Sequence, residues 1–381
     1  MRINRKWLVL YLILALLLCW FLFRFTLPEF NKIEYTQDIE VNKVVKEKKV
    51  ALLPASHIET PQQVKAIYIS SWVAGSYNYL NPLIELLDNS ELNAVVIDVK
   101  DSTGKISFKI DELANLKTYE NRIANPRNLI EKLHNKNIYV IGRIAVFQDP
   151  ALIEVYPEIA VKKESDKEAF WEDRKGVSWV DAGSQIAWDY NITLSKEAYK
   201  LGFDEINFDY IRFPSDGNMK DIYYPISEGK VKAEVVKSFF EYVSSNIDMP
   251  MSVDLFGMTT TNNDDLNIGQ VWEYALPHFD YLCPMIYPSH YPSGWNNYSK
   301  PATNPYEIIK LALEGAIEKT ILAGYSTDKI RPWLQDFDLG AIYTKEMVQE
   351  QIQATYDVGL DSWLMWDPAN RYTKNAFENN L

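Results

Sequence analysis

"GFDEINFDYIRFP", residues 202–214, sets Ile206, Phe208, Ile211 and Phe213 beside four charged residues, Asp204, Glu205, Asp209 and Arg212. Its β-branched and aromatic content predicts a buried strand, and carboxylates in such a place are costly unless they are paired or used. Side chains alternate along a strand, so Asn207 and Asp209 share one face. A strand whose first half is core and whose last residues are acidic fits a parallel barrel. There the working residues gather where the strands end.

The neighbouring sequence repeats this plan. Short apolar runs occur at 64–72, 94–101, 138–147, 205–213, 251–258, 281–288, 320–326 ("TILAGYS") and 362–368. Polar, helix-like stretches separate most of them, among them "NPLIELLDNSEL", "PRNLIEKLHNKN", "KAEVVKSFFEYVSSN" and "NPYEIIKLALEGAIEK". Eight strand-then-helix units over some 300 residues predict a (β/α)8 TIM barrel. A doubly wound open sheet is the alternative, but the first turn lacks a glycine-rich loop.

Polar residues fall late in these strands. Asp98, Lys100 and Asp101 close the second; Arg143, then Gln148 and Asp149, follow the third; Asn207, Asp209 and Arg212 close the fourth. Asp254 ends the fifth, Tyr287 the sixth, Tyr325 the seventh, and Trp366 and Asp367 the eighth. Strand starts carry only Glu205 and Asp280. Period two pairs Asp98 with Lys100 and Ser252 with Asp254, so acids of strands two, four and five are expected to converge on one mouth. Carboxylates crowded in a partly dry cleft push each other's pKa apart, giving one proton donor and one ionised base or nucleophile. Glycoside hydrolysis needs that division.

Other chemistries lack their residues. The four histidines, His57, His134, His278 and His290, show no metal-ligand spacing. There is no G-x-S-x-G elbow and no phosphate loop. Cys19 and Cys283 stand in contexts too different for a bridge, and Cys283 reads as a small buried thiol. No metal or cofactor is called for. A net charge of −13 speaks against nucleic acid and suits a neutral or cationic polymer. With 11 Trp and 24 Tyr, the chain has ample rings for stacking on sugars. Two long connections read as substrate walls: residues 148–183, with Trp171, Trp179 and Asp181, and residues 289–305, with Trp295.

The N-terminus adds a location. A basic tail (1–6) precedes an unbroken apolar run, 7–23, which as a helix reaches about 25 Å, enough to span a bilayer. The basic flank stays inside, so the remainder is expected outside the cytoplasm. Bulky residues end the run where a cleaved signal would have small ones, and Leu18 precedes Cys19 where an acylation site would have a small residue. The expectation is an uncleaved, single-pass signal anchor. Residues 24–62 read as a stalk, and 63–381 as the barrel.

Six stretches together carry a resemblance: "WVDAG" (179–183), "GFDEINFDYIRFPSDG" (202–217), "MSVDLFG" (251–257), "DYLCPMIYPSHY" (280–291), "RPWLQDF" (331–337) and "SWLMWDPANRY" (362–372). They resemble the bacterial putative glycoside hydrolase domain, related to α-amylase and α-galactosidase barrels, over residues 64–375. The resemblance implies that Asp209, late in strand four, is the nucleophile. A carboxylic acid on a later strand would be the donor; amylase-like barrels have Glu at the end of strand five, and this chain has Asp254. "MIYP" is similar to the Met-x-Tyr of chitinase-like barrels, whose Tyr orients substrate and matches Tyr287; the D-x-x-D-x-D-x-E pattern of those enzymes is absent.

These readings predict a membrane-anchored, exported glycosidase acting on an extracellular or cell-wall polysaccharide, with Asp209 and Asp254 as the catalytic pair. Arg212 and Asn207 are expected to hold Asp209 ionised. Asp98, Asp181 and Asp367 are further candidates for donor or sugar binding, with Lys100 and Arg143 among the binding residues. Trp179, Trp295 and Trp366 are the expected sugar platforms. The rivals are a non-catalytic glycan-binding or scaffold barrel, which the missing Glu favours, and a carbohydrate lyase or esterase.

Overall fold

The structure, a computed structural model, describes residues 54–378. The apolar run 7–23 lies outside them, and among the described residues no helix is long and apolar enough to cross a membrane. Eight parallel strands close in chain order into a barrel: β1 Lys65–Ile69, β2 Ala94–Lys100, β3 Tyr139–Ala145, β4 Glu205–Asp209, β5 Met251–Phe256, β6 Tyr281–Met285, β7 Trp333–Gln335 and β8 Trp363–Trp366.

Six longer helices surround it: α1 Tyr77–Asp88, α2 Pro126–His134, α3 Gln185–Leu201, α4 Lys232–Asn246, α5 Pro305–Leu322 and α6 Lys345–Asp357. Their ends follow local chemistry. Asn125, Ser184 and Thr344 accept a hydrogen bond from the first turns of α2, α3 and α6, and proline opens α2 and α5. Gly202 ends α3 at φ 117°, a conformation that a Cβ would strain, and turns the chain directly into β4.

Alternation along the strands sorts the core into two layers. Ile67, Val95, Val140, Phe208, Val253 and Leu282 face the helices. Ala66, Tyr68, Val96, Ile141, Cys283, Trp333 and Leu364 fill the interior, as in other barrels packed by inward side chains. At the base, Glu205 opens β4 inward and meets Arg331, whose Nη1 donates to both carboxylate oxygens at 3.0 Å. Residues before β1 lie against this end: Ile58 N donates to Asp204 Oδ1 at 2.7 Å, and Thr60 Oγ1 is 2.9 Å from Tyr139 Oη.

Two expectations are corrected. "TILAGYS" is not a strand; residues 320–322 finish α5, and Tyr325 follows that helix. The seventh strand is Trp333–Gln335, inside "RPWLQDF". Nor do Asp98 and Lys100 share a face, because the β2–β3 register shifts between them. Asp98 pairs with Arg143 and Lys100 with the next residue, Ile144, so Val99 is an extra residue in β2. The bulge turns Lys100 out of the barrel.

Candidate active site

The carboxyl ends of β2, β3, β4 and β5 bring Asp98, Arg143, Asp209 and Asp254 together. Arg143 is the hub. Its Nη2 and Nε donate to Asp209 Oδ2 at 2.5 and 3.1 Å, its Nη1 donates to Asp98 Oδ1 at 2.6 Å, and its Nε lies 3.9 Å from Asp254 Oδ2. Burial opposes the guanidinium charge, but Asp209 and Asp98 more than restore it, so its pKa rises.

Asp209 ends β4, where Asn207 and Asp209 alternate inward as expected from period two. Its second oxygen, Oδ1, accepts from the backbone N–H of Tyr210 at 2.5 Å. Tyr210 has φ 55°, in the left-handed region that a bulky residue seldom occupies. That local strain points its N–H at the carboxylate, a pattern found where backbone geometry serves a site.

Asp254 has a different environment. It is buried, and burial followed by the charge of Asp209 pushes its pKa well above the usual carboxylate range. Oδ1 accepts from Trp333 Nε1 at 2.7 Å and from Asn207 Nδ2 at 2.8 Å. With Oδ1 engaged by two donors, the proton of the neutral acid belongs on Oδ2, the oxygen nearer Arg143. One carboxylate therefore carries a salt bridge, while burial and that carboxylate's charge favour the protonated form of the other. Both reach one nitrogen, at 3.1 and 3.9 Å, so their oxygens are at most 7.0 Å apart.

Asp98 is also pushed up by burial, with Arg143 and Tyr68 acting the other way. Tyr68, at the end of β1, donates its hydroxyl to Asp98 Oδ2 at 2.5 Å. Trp366 stacks on Tyr68, ring centres 4.0 Å apart, and lies 5.1 Å from the Arg143 guanidinium. Tyr287 packs in the interior cluster with Tyr68 and Trp366, and burial and then the charge of Asp254 raise its pKa.

The remaining expected residues lie elsewhere. Lys100 is fully buried outside the barrel, donating to Asp149 at 2.5 Å and Asn191 at 2.9 Å. Asp181 accepts from the backbone of Gly183, Ile226 and Ser227 and so ties two connections together. Asp367 accepts from Ala369 N at 2.5 Å and shapes the turn after β8. Trp179 is buried, its Nε1 on Asp173 and the Arg212 guanidinium 4.6 Å above its ring. Trp295, half-buried, leans on Tyr291 with centres 4.5 Å apart in the connection after β6.

Arg212 and Asn207 do not make the contacts expected of them. Arg212 donates to Phe213 O and stacks among Trp179, Tyr210 and Phe256, with Arg143 taking the place beside Asp209. Asn207 holds Asp254, not Asp209. β4 stops at Asp209, and Arg212, three residues further on, has the opposite parity, so alternation alone does not bring it to the face of Asp209.

Tyr68, Tyr210 and Trp333 were not singled out from the sequence. The late-strand position of Tyr68 carried the signal, the same one that picked out Tyr287 and Trp366 on other strands. Trp333 was hidden by the displaced seventh strand. Among the described residues no group of three or more His, Cys, Asp or Glu could hold a metal ion.

Residues 66–372 match the putative glycosyl hydrolase domain family, as the sequence motifs implied. A search of curated proteins finds no match. Among solved structures, the PgaB (BpsB) glycoside hydrolase domain from Bordetella bronchiseptica superposes with a TM-score of 0.58 at 11% identity, over 84% of this chain and 100% of that one. Alpha-L-fucosidase isoenzyme 2 from Paenibacillus thiaminolyticus gives 0.54 at 13% identity, over 83% and 48%. A hypothetical protein from Ruminiclostridium thermocellum ATCC 27405 is 33% identical over 49% of this chain and 96% of its own, with a TM-score of 0.45. The first two likenesses establish a shared barrel.

Proposed function

The chain belongs to the putative glycosyl hydrolase domain family, and from that premise we propose that it cleaves glycosidic bonds of a polysaccharide with Asp209 as nucleophile and Asp254 as proton donor. The observation that carries this reading is a buried Asp254, its carboxyl pushed up by burial and by the charge of Asp209, beside the salt-bridged Asp209. Asp209 attacks the anomeric carbon while Asp254 gives its Oδ2 proton to the departing oxygen. Asp254, now ionised, then takes a proton from the water that releases the sugar. Arg143, pinned by Asp98 and Tyr68, keeps Asp209 aimed. Trp366 supplies an apolar ring at the floor.

The bound of 7.0 Å between Asp209 Oδ2 and Asp254 Oδ2 admits the spacing of a retaining pair, and retention is the outcome we propose. Retaining pairs stand about 5–5.5 Å apart and inverting pairs about 6.5–9.5 Å. Location outside the cytoplasm, behind an N-terminal anchor, belongs to the same proposal and rests on the apolar run after the basic tail.

Reducing-end assays of the full chain across a polysaccharide panel, with proton NMR of the first product, test this. Wild type is expected to release the retained anomer, and Asp209→Asn and Asp254→Asn to lose about a thousandfold or more in kcat. Polymer binding without turnover in wild type would reduce the protein to a glycan-binding barrel. Unsaturated or deacylated products would make it a lyase or an esterase.

A further inference from the structure

The connection between β1 and α1 carries Trp72, 64% exposed, on a turn of helix (Ser71–Ala74) two residues beyond the end of β1. Tyr77 and Tyr79 follow in the same stretch, also exposed. Large exposed rings so close together on one rim are unusual for a surface without a partner.

The ring stands on an immobilised base. The Arg122 guanidinium lies 4.8 Å from its centre and covers one face. Arg122 is itself almost fully buried, its Nη1 bonded to Asp101 and to Ser71 Oγ at 3.2 Å and its Nε to Glu120 at 2.9 Å. The turn is fixed as well: Ser70 N donates to Asn370 Oδ1 at 3.0 Å, and its Oγ accepts from Val73 N. Gly75 is required there, because a Cβ would come within 1.9 Å of the Arg122 carbonyl oxygen. One face of the indole is thus closed by a fixed cation, and the other is open.

This platform is continuous with the mouth. Tyr68, four residues earlier, bonds Asp98, and the Asn370 that holds the Trp72 turn also donates through Nδ2 to the Tyr68 carbonyl at 3.0 Å. We propose that Trp72 is an outer sugar-stacking platform, receiving the polysaccharide strand as it leaves the catalytic carboxylates over the β1–β2 rim. The occupant is a glycan because a flat ring open on one side matches the apolar face of a pyranose. This inference rests on the glycosidase reading and adds a preference for long chains.

The test uses the full chain in affinity gels cast with chitosan, galactomannan or xylan, alongside hydrolysis of the same polymers and of their trisaccharides. Wild type is expected to be retarded by the polymer that it cuts. Trp72→Ala should bind that polymer about three- to tenfold more weakly, the scale of one aromatic contact. It should hydrolyse the trisaccharide as wild type does, and Trp72→Phe should recover most of the retardation. Equal retardation of wild type and Trp72→Ala, with hydrolysis intact, overturns the platform alone. Loss of trisaccharide hydrolysis together with polymer binding also overturns it, since Trp72 would then serve the centre itself. Neither cutting nor retardation of any of the three by wild type overturns the platform and the reading beneath it.

Discussion

Asp254 holds a carboxyl group in a place where its charged form is penalised by burial and by the neighbouring Asp209. The sign of the consequence follows from proton linkage. Below the ordinary carboxylate pKa both folded and unfolded chains are protonated at this position, and it costs nothing. As pH rises through that value the unfolded chain releases the proton while the folded chain keeps it, so stability falls until the raised folded value is passed. Asp254→Asn removes the penalty and keeps an oxygen for Trp333 and Asn207. At pH 7 the variant is expected to be inactive yet more stable, by on the order of 0.5–2 kcal/mol. The advantage should vanish as pH approaches 4. Thermal unfolding of both proteins from pH 4 to pH 8 measures it. An inactive variant less stable than wild type throughout would mean that Asp254 is a structural hydrogen-bonding group.

At the scale of the strand, Lys100 shows how one inserted residue separates a site residue from a structural one. The bulge at Val99 leaves Asp98 in the mouth and buries Lys100 against Asp149, Asn191 and, 4.8 Å away, the ring of Tyr190. Removing one member of a buried ion pair leaves the other charge uncompensated. Lys100→Met is therefore expected to lose about 3–5 kcal/mol in urea unfolding while the folded fraction keeps its kcat. Lys100→Met with Asp149→Asn should regain part of the loss. A selective fall in kcat would return Lys100 to the site.

The bulge also marks what the sequence can disclose. Strict alternation placed Asn207, Asp209 and Asp254 correctly, because β4 and β5 run without interruption. It failed at Lys100, where one backbone irregularity changed the face and nothing in composition announced it. The four polar, helix-like stretches quoted from the sequence became α1, α2, α4 and α5. The seventh strand was not: three residues, Trp333–Gln335, are too few to show a period, while β-branched residues at the end of α5 imitated a strand. The carboxylates were legible as a set. Their partners were not, since Arg143 reaches Asp98, Asp209 and Asp254 only once the barrel has closed.

Over the described residues, two kinds of buried acid occupy opposite ends of one barrel. The mouth carries acids whose environment is costly; the base carries acids that are fully partnered. Asp204 is the clearest of these. Burial works against its charge, but His134 and His57 together with the backbone N–H groups of Val140 and Ile58 outweigh it and hold the carboxyl below its usual range. Val140 N and His134 Nε2 meet Oδ2 at 2.8 and 2.9 Å, Ile58 N meets Oδ1 at 2.7 Å, and His57 stacks on Tyr199 with ring centres 3.9 Å apart. One carboxylate thereby fastens β3, α2 and the segment preceding β1 to the start of β4. A depressed acid contributes stability above the ordinary carboxylate pKa and loses it as pH falls through the lower folded value. Asp204→Asn should cost about 2–4 kcal/mol at pH 7. The gap from wild type should narrow below about pH 4, where the unfolded chain is protonated too. Urea unfolding between pH 7 and pH 3 reads the gap, and limited proteolysis at neutral pH should cut the variant first within residues 54–62. A gap equal at every pH would show that the carboxylate charge plays no part, and resistance of 54–62 to cleavage would show that Asp204 does not fasten it.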